Sequence, residues 1–215
     1  MAIEAKICGL RDAASVNAAL KGGARYIGFV FYPPSPRSIT PATAAELARH
    51  AAGRAGCVGL FVDPDDDTLA SITRAVPLDM IQLHGDESPA RVADIRERYG
   101  RPVMKALKIS VPEDLAGVEA YLPVADRLLF DAKAPKGKAD ALPGGNAVAF
   151  DWRILAGKSW SRPWMLAGGI NPENLAEAVE VSGARSVDVS SGVEVKPGQK
   201  DPERIALFLQ KARSL

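Results

Sequence analysis

Short apolar runs recur along the chain, and most are followed, after a turn, by a longer segment with helical spacing of its apolar residues. The runs are rich in β-branched and aromatic side chains and end abruptly in glycine or a polar residue, which predicts strands. The predicted strands are 4–8, 26–31, 57–62, 80–84, 103–108, 127–131, 164–167 and 186–189. Helical spacing occurs at 15–20, 41–50, 67–74, 88–99, 112–121, 174–181 and 202–212.

This alternation of strands and helices predicts an α/β fold. A strand followed by a crossover helix pairs in parallel with the next strand. Units that repeat about every 20–35 residues, eight in all, suit a closed (β/α)8 TIM barrel better than an open sheet. A doubly wound open sheet is the alternative, and spacing alone does not exclude it. Since no internal linker is visible, we expect residues 1–215 to form a single domain.

Composition narrows the classes of function. Of the 215 residues, 27 are Lys or Arg and 26 are Asp or Glu, so the chain lacks the basic excess of a nucleic-acid-binding protein. Its apolar runs are too short to cross a bilayer, and its first residues lack the layout of a signal peptide. Two cysteines and two histidines indicate neither a disulfide framework nor a zinc site. We expect a cytoplasmic protein that binds no metal, nucleic acid or membrane.

Two strand exits near the C-terminus predict a phosphate site. One apolar run ends in Gly168 and Gly169, and the next ends in Ser190, Ser191 and Gly192. Backbone N–H groups at adjacent exits of this kind bind phosphate in (β/α)8 barrels. The alternative is a pair of tight turns that need a positive φ, but two in succession favour a phosphorylated small molecule. The residues assigned to this site are Gly168, Gly169, Asn171, Ser190, Ser191 and Gly192.

Cys8 ends the first strand, just before Gly9, where chemistry concentrates in a barrel. Lys6 shares its face by the two-residue period of a strand, and an ammonium nearby would lower the pKa of the thiol and supply thiolate as a base. The alternative is a small apolar side chain in the core. Cys57 begins its strand and faces away from the active site, so we expect it only to pack.

Asp131 ends the sixth strand, after an apolar run. Burial there would raise its pKa and keep it protonated as a general acid. The alternative is a carboxylate that accepts from loop N–H groups or pairs with Lys133. In a barrel Cys8 and Asp131 would face each other across the mouth, which suits a proton transfer between two atoms of one bound substrate.

Other polar residues at strand exits are candidates for substrate contact. Arg37 lies in a loop stiffened by prolines, and its guanidinium suits a carboxylate or a phosphate; a surface arginine is the alternative. His84 ends the fourth strand and Asp188 lies in the eighth. The long irregular segment 132–149, which is rich in Lys, Gly and Pro, follows the sixth strand, and it is either a lid or a solvated loop.

Six segments of the chain form an ordered set of motifs, namely 6–10, 28–39, 82–85, 129–133, 166–174 and 187–194. Any one of them is a weak signal, but six at fitting spacing along the whole chain are specific. In this order they resemble the phosphoribosylanthranilate isomerase family of tryptophan biosynthesis.

The resemblance implies a monofunctional (β/α)8 enzyme that needs no cofactor and binds a small phosphosugar. Its reaction would be an Amadori rearrangement of N-(5-phosphoribosyl)anthranilate to the carboxyphenylamino-deoxyribulose phosphate. By similarity, Asp131 would be the general acid, Cys8 the general base, and Arg37 the partner of the anthranilate carboxylate. The glycine and serine exits would hold the phosphate, with His84 and Asp188 as further substrate contacts. We expect a monomer or a weak homodimer.

One position departs from the family pattern, and two other functions compete with the isomerase. Ala147 stands where the family often shows glycine, so we expect the geometry of the loop to differ, because alanine adopts a positive φ only at a cost. Another phosphosugar enzyme is one competitor, although a metal-dependent epimerase would need more histidines and the histidine-pathway isomerase uses Asp where Cys8 stands. The other is a barrel that binds a phosphometabolite without turnover, since fold alone does not decide function.

Overall fold

Eight parallel strands close into a barrel, because the first strand pairs with both the second and the eighth. The computed structural model describes residues 2–133, 144 and 149–215. The closed barrel confirms the predicted (β/α)8 fold and excludes the open sheet. The strands are β1 (Glu4–Cys8), β2 (Tyr26–Val30), β3 (Gly56–Phe61), β4 (Met80–Leu83), β5 (Val103–Ile109), β6 (Arg127–Ala132), β7 (Trp164–Leu166) and β8 (Ser186–Val189).

Six α-helices lie in the described part of the chain, and most begin at a capping side chain. Asp12, Thr40, Asp65 and Ser88 each accept a hydrogen bond from a backbone N–H of the first turn. The helices are α1 (Ala13–Lys21), α2 (Pro41–Ala51), α3 (Asp66–Ala75), α4 (Pro89–Tyr99), α5 (Leu175–Ser182) and α6 (Pro202–Ser214). None of them is long and apolar enough to cross a bilayer.

The segment predicted as an α-helix at 112–121 is a 3-10 helix, Pro112–Tyr121. Only Val118 of this segment is buried, so it offers little apolar surface to hold an α-helix against the barrel. Two further 3-10 helices, Trp152–Leu155 and Ser191–Val193, and a small hairpin of β9 (Glu194–Lys196) and β10 (Gln199–Lys200) were not predicted. Most of the predicted loop at 132–149, including Ala147, lies outside the described residues.

The barrel interior is filled by side chains, so a ligand can enter only at its ends. Every second strand residue points inward, and Val58, Met80, Met104, Leu129 and Met165 pack together there. The residues between them pack against the helices in a second, larger apolar layer. The register of β1 sets Lys6 opposite Asp188 and Cys8 opposite Gly28, at the end of the barrel where the strands terminate.

Candidate active site

A cavity opens where the strands end. This is the face at which barrels of this kind carry their chemistry. Most of the predicted site residues line it together, whereas Asn171 and Gly192 do not. The predicted residues in the lining are Cys8, Arg37, His84, Asp131, Gly168, Gly169, Asp188, Ser190 and Ser191.

Cys8 and its neighbours form the wall built by β1 and β8. As predicted, Lys6 lies beside Cys8, but its ammonium is bound to Asp188, with 2.9 Å between Nζ and Oδ1. Lys6 is fully buried and Asp188 is 8% exposed. Gly28 leaves room for the thiol, since a Cβ at that position would lie 3.0 Å from Sγ of Cys8. The base candidate is therefore packed against a closed ion pair.

The expected lowering of the Cys8 pKa is wrong in direction. Burial raises the pKa of the Cys8 thiol, and the opposing effect of Lys6 is smaller. The carboxylate of Asp188 reinforces the rise and balances the charge of Lys6. Around neutral pH Cys8 is therefore a thiol. Cys57 packs in the core as predicted, and burial raises its pKa to about 12.

Asp131 and His84 form the facing wall, built by β6 and the end of β4. Oδ2 of Asp131 lies 3.0 Å from Nε2 of His84, and Oδ1 accepts the N–H of Ala132 at 2.8 Å. Lys133 pairs instead with Asp114, at 2.7 Å, so the alternative pairing for Asp131 does not occur. A Cβ on Gly144 would lie 2.6 Å from both Oδ2 and Nε2. Gly144 therefore lies against the pair, at a position where any larger residue would clash with both side chains.

Arg37 is buried and held by a carboxylate that sequence reasoning missed. Its Nε and Nη2 donate to the two oxygens of Glu194 at 2.8 and 2.9 Å, which is a bidentate pair. Gly9 has a φ of 78°, and a Cβ there would lie 3.0 Å from Cδ of Arg37. Residue 9 must therefore be glycine, both because its φ is positive and because a Cβ would crowd the side chain of Arg37. The proline-rich loop alone does not fix the guanidinium.

Lys200 is a second missed residue, and it joins Arg37 to the predicted phosphate exits. Its Nζ donates to Glu194 Oε1 at 2.7 Å and to the backbone oxygen of Ser190 at 2.9 Å. Burial lowers the pKa of Lys200, although the nearby carboxylate of Glu194 acts to raise it. Among the described residues, two basic groups and one carboxylate meet here, so positive charge is in excess in this part of the structure while Lys200 is protonated. The signal in the sequence was only a Glu and a Lys six residues apart.

The exits of β7 and β8 lie side by side, and only the first has the positive φ values of the tight-turn interpretation. Gly168 and Gly169 have φ values of 82° and 68°, so each is a turn that favours glycine, and each also lines the cavity. A Cβ on Gly192 would lie 2.0 Å from the backbone oxygen of Ile170, so Gly192 lets the exits of β7 and β8 touch. Asn171 caps the next turn, where its Oδ1 accepts the N–H of Asn174 at 3.0 Å.

Comparison with known proteins assigns the chain to a family. The sequence profile of the N-(5'-phosphoribosyl)anthranilate isomerase family matches residues 5–211. The chain belongs to this family. It is 58% identical over 213 residues to N-(5'-phosphoribosyl)anthranilate isomerase of Paramagnetospirillum magneticum, covering 99% of this chain and 98% of the relative. It is 56% identical over 215 residues to that of Rhodospirillum centenum, covering both chains completely.

Solved structures of phosphoribosylanthranilate isomerases share the fold over the whole chain. The enzyme of Thermotoga maritima has a TM-score of 0.87 and 34% identity, covering 99% of this chain and all of that one. Another was solved in complex with reduced 1-(o-carboxyphenylamino)-1-deoxyribulose 5-phosphate, with a TM-score of 0.84, 33% identity and the same coverage. The family assignment decides against the competing epimerase and the purely binding barrel.

Proposed function

We propose that Asp131 is the acid and Cys8 the base of the reaction that this family catalyses. That reaction is the isomerisation of N-(5'-phosphoribosyl)anthranilate to 1-(2-carboxyphenylamino)-1-deoxyribulose 5-phosphate in tryptophan biosynthesis. The observation that supports the roles is that both side chains line one cavity from different walls. Each is held by its own partners, which is what two separate proton transfers on one substrate require.

Asp131 begins the reaction on the sugar ring. It gives its proton to the furanose ring oxygen while the bond from that oxygen to C1 breaks, and the anthranilate nitrogen supplies the electrons for a protonated Schiff base. Cys8, as thiolate, then takes the proton from C2. The electron pair of that C–H bond forms the C1–C2 double bond and neutralises the nitrogen, giving an enolamine. Loss of the proton on the C2 oxygen and gain of a proton at C1 complete the ketone.

Because burial raises the pKa of the Cys8 thiol, we propose that its proton passes to water only after ring opening. A protonated Schiff base carries positive charge next to C2, and an opposite charge nearby favours thiolate. The charge of Lys6 cannot do the same alone, because Asp188 balances it at 2.9 Å. The substrate therefore helps to generate its own base, and the thiol stays neutral and less reactive at other times.

The two anionic ends of the substrate are assigned to different residues of the cavity lining. Arg37 is the partner of the anthranilate carboxylate, presented in a fixed orientation by Glu194. Gly168, Gly169, Ser190 and Ser191 hold the phosphate, with the excess positive charge near Lys200 as support. Asn171 and Gly192 contribute by shaping these exits. His84 and Asp188 contact the sugar portion.

Several wider properties complete the proposal. We propose one domain over residues 1–215, a cytoplasmic enzyme without a cofactor, and no nucleic-acid or membrane partner. A Thermotoga maritima relative of 33% identity is described as dimeric, whereas we expect a monomer or a weak homodimer here. Light scattering across a dilution series measures this, and a constant dimer mass down to nanomolar protein would contradict it.

The test of function follows the fluorescence of freshly generated phosphoribosylanthranilate. Wild type should consume the signal, Cys8→Ala should not, and Cys57→Ala should behave as wild type because Cys57 packs in the core. Equal decay with wild type and Cys8→Ala would remove Cys8 from the mechanism. Absence of decay with wild type would contradict the function.

A further inference from the structure

A buried amide stands behind the pair of His84 and Asp131. Gln82 lies in β4, two residues before His84, with no exposed surface, and it does not line the cavity. Its Nε2 lies 3.0 Å from Nδ1 of His84. The side chain therefore cannot touch the substrate, but it contacts the ring nitrogen that faces away from Asp131.

The direction of this amide decides which nitrogen of His84 carries the proton. With Nε2 of Gln82 facing the ring, Nδ1 accepts a hydrogen bond and the imidazole proton lies on Nε2. Oε1 of Gln82 and the second N–H of its Nε2 then have no hydrogen-bond partner among the described residues. The reverse orientation would leave both N–H donors without partners, and a buried donor without a partner is rarer than a buried carbonyl oxygen that lacks one. The first orientation is the less costly.

We propose that Gln82 is a positioning residue that holds His84 in the tautomer with its proton on Nε2. In this form Nε2–H donates to Oδ2 of Asp131 across the 3.0 Å contact. The acid proton of Asp131 cannot occupy the same contact, so it stays available to the cavity. In the other tautomer Nε2 would accept that proton, and Asp131 would donate to His84 rather than to the substrate. This consequence rests on the proposed role of Asp131 as the acid.

The chain is suited to a direct test because it contains two histidines. Imidazole nitrogen-15 NMR of the folded protein at pH 8 distinguishes the two tautomers and the imidazolium. His50 is exposed, bonds Asn17 at 2.7 Å, and is assigned by its loss in His50→Gln. We expect His84 to show Nε2–H in wild type. An Nδ1–H or imidazolium pattern would overturn the proposal without any measurement of activity.

Two variants test whether Gln82 is the cause. Gln82→Glu replaces the amide donor by a carboxylate that accepts from Nδ1–H, so the His84 signals should move away from the Nε2–H pattern. Gln82→Met keeps the volume without a hydrogen bond and should leave a mixture of tautomers. An unchanged Nε2–H pattern in Gln82→Met would overturn the proposal even if Gln82→Glu does not fold.

Kinetics separate this proposal from the proposed function. We expect kcat of Gln82→Met to fall by about tenfold or more, with KM within about twofold, because the change acts on the acid while the groups assigned to the carboxylate and the phosphate stay in place. A fall confined to KM would count against a positioning role. If the tautomer shifts in the NMR spectrum while kcat stays at the wild-type value, the tautomer assignment holds and Asp131 is not the acid.

Discussion

The two walls of the cavity hold their reactive groups by different means. Cys8 lies beside a buried pair of formal charges, Lys6 and Asp188, which cancel each other. Asp131 is held by directional hydrogen bonds from His84 and from the N–H of Ala132. The balanced ion pair fixes the position of Cys8 without favouring its thiolate form. The chain of hydrogen bonds at the other wall fixes the position of Asp131 and also the ring nitrogen of His84 that carries the proton. Packing and balanced charge therefore fix Cys8, the proposed base, whereas directional hydrogen bonds fix Asp131, the proposed acid.

Replacing Asp131, the proposed acid, should have the largest effect on turnover. In Asp131→Asn the amide oxygen can still accept from His84, so the wall should keep its shape, but no proton is available for the ring oxygen. We expect kcat to fall by about a hundredfold to ten-thousandfold, with KM nearly unchanged. Steady-state kinetics measure this, with Asp86→Asn as a control, because Asp86 is exposed and pairs with Lys108. A rise in KM at normal kcat would make Asp131 a binding residue.

Breaking the ion pair of Lys6 and Asp188, in the wall that carries Cys8, should lower the free energy of unfolding. Lys6→Met leaves the carboxylate of Asp188 buried without its cation, and breaking a buried pair from one side costs about 3–5 kcal/mol. Adding Asp188→Leu should restore most of the free energy of unfolding, because no unpaired charge remains. Urea unfolding measures both variants. A loss below about 1 kcal/mol in Lys6→Met would show that the pair behaves like a surface pair.

A smaller effect, on substrate binding, is expected at Arg37, which belongs to neither wall. Arg37→Ala removes a charge-assisted partner of the anthranilate carboxylate, so KM should rise about tenfold to a hundredfold while kcat changes less. Arg11→Ala is the matched control, since Arg11 is exposed and donates only to the backbone oxygen of Pro36. An unchanged KM in Arg37→Ala would remove Arg37 from the substrate model and restrict its role to the pair with Glu194.

The sequence predicted the strands and their exits well, for a physical reason. Strands of a parallel barrel are buried on both faces, so they read as apolar runs whose ends are marked by the first polar residue. Observed strand ends lie within one residue of the predicted ones, and Cys8, His84 and Asp131 were found at exits for this reason. The 3-10 helix Pro112–Tyr121 was missed because apolar spacing does not distinguish it from an α-helix.

The partners of the site residues could not be predicted in the same way. Glu194 and Lys200 lie in a short hairpin after the last strand, and nothing in their spacing shows that both are buried. The pKa of Cys8 depends on Asp188, which is distant in sequence and adjacent only because the barrel closes. Local pattern therefore located the reactive groups, whereas their electrostatic state required the three-dimensional fold.

The smallest expected effect concerns the ionisation of Cys8. Because burial raises its pKa in the folded protein, the thiol is the favoured form. The contribution of Cys8 to the free energy of unfolding is therefore lost as pH rises through the pKa of the folded state. The difference in thiolate absorbance between wild type and Cys8→Ala should stay near zero up to about pH 8.5, the ordinary thiol value, and grow above it. Cys57, with a pKa of about 12, does not interfere. A thiolate at neutral pH would mean that Lys6 activates Cys8 after all, and that the pair of Lys6 and Asp188 does more than fix the position of the thiol.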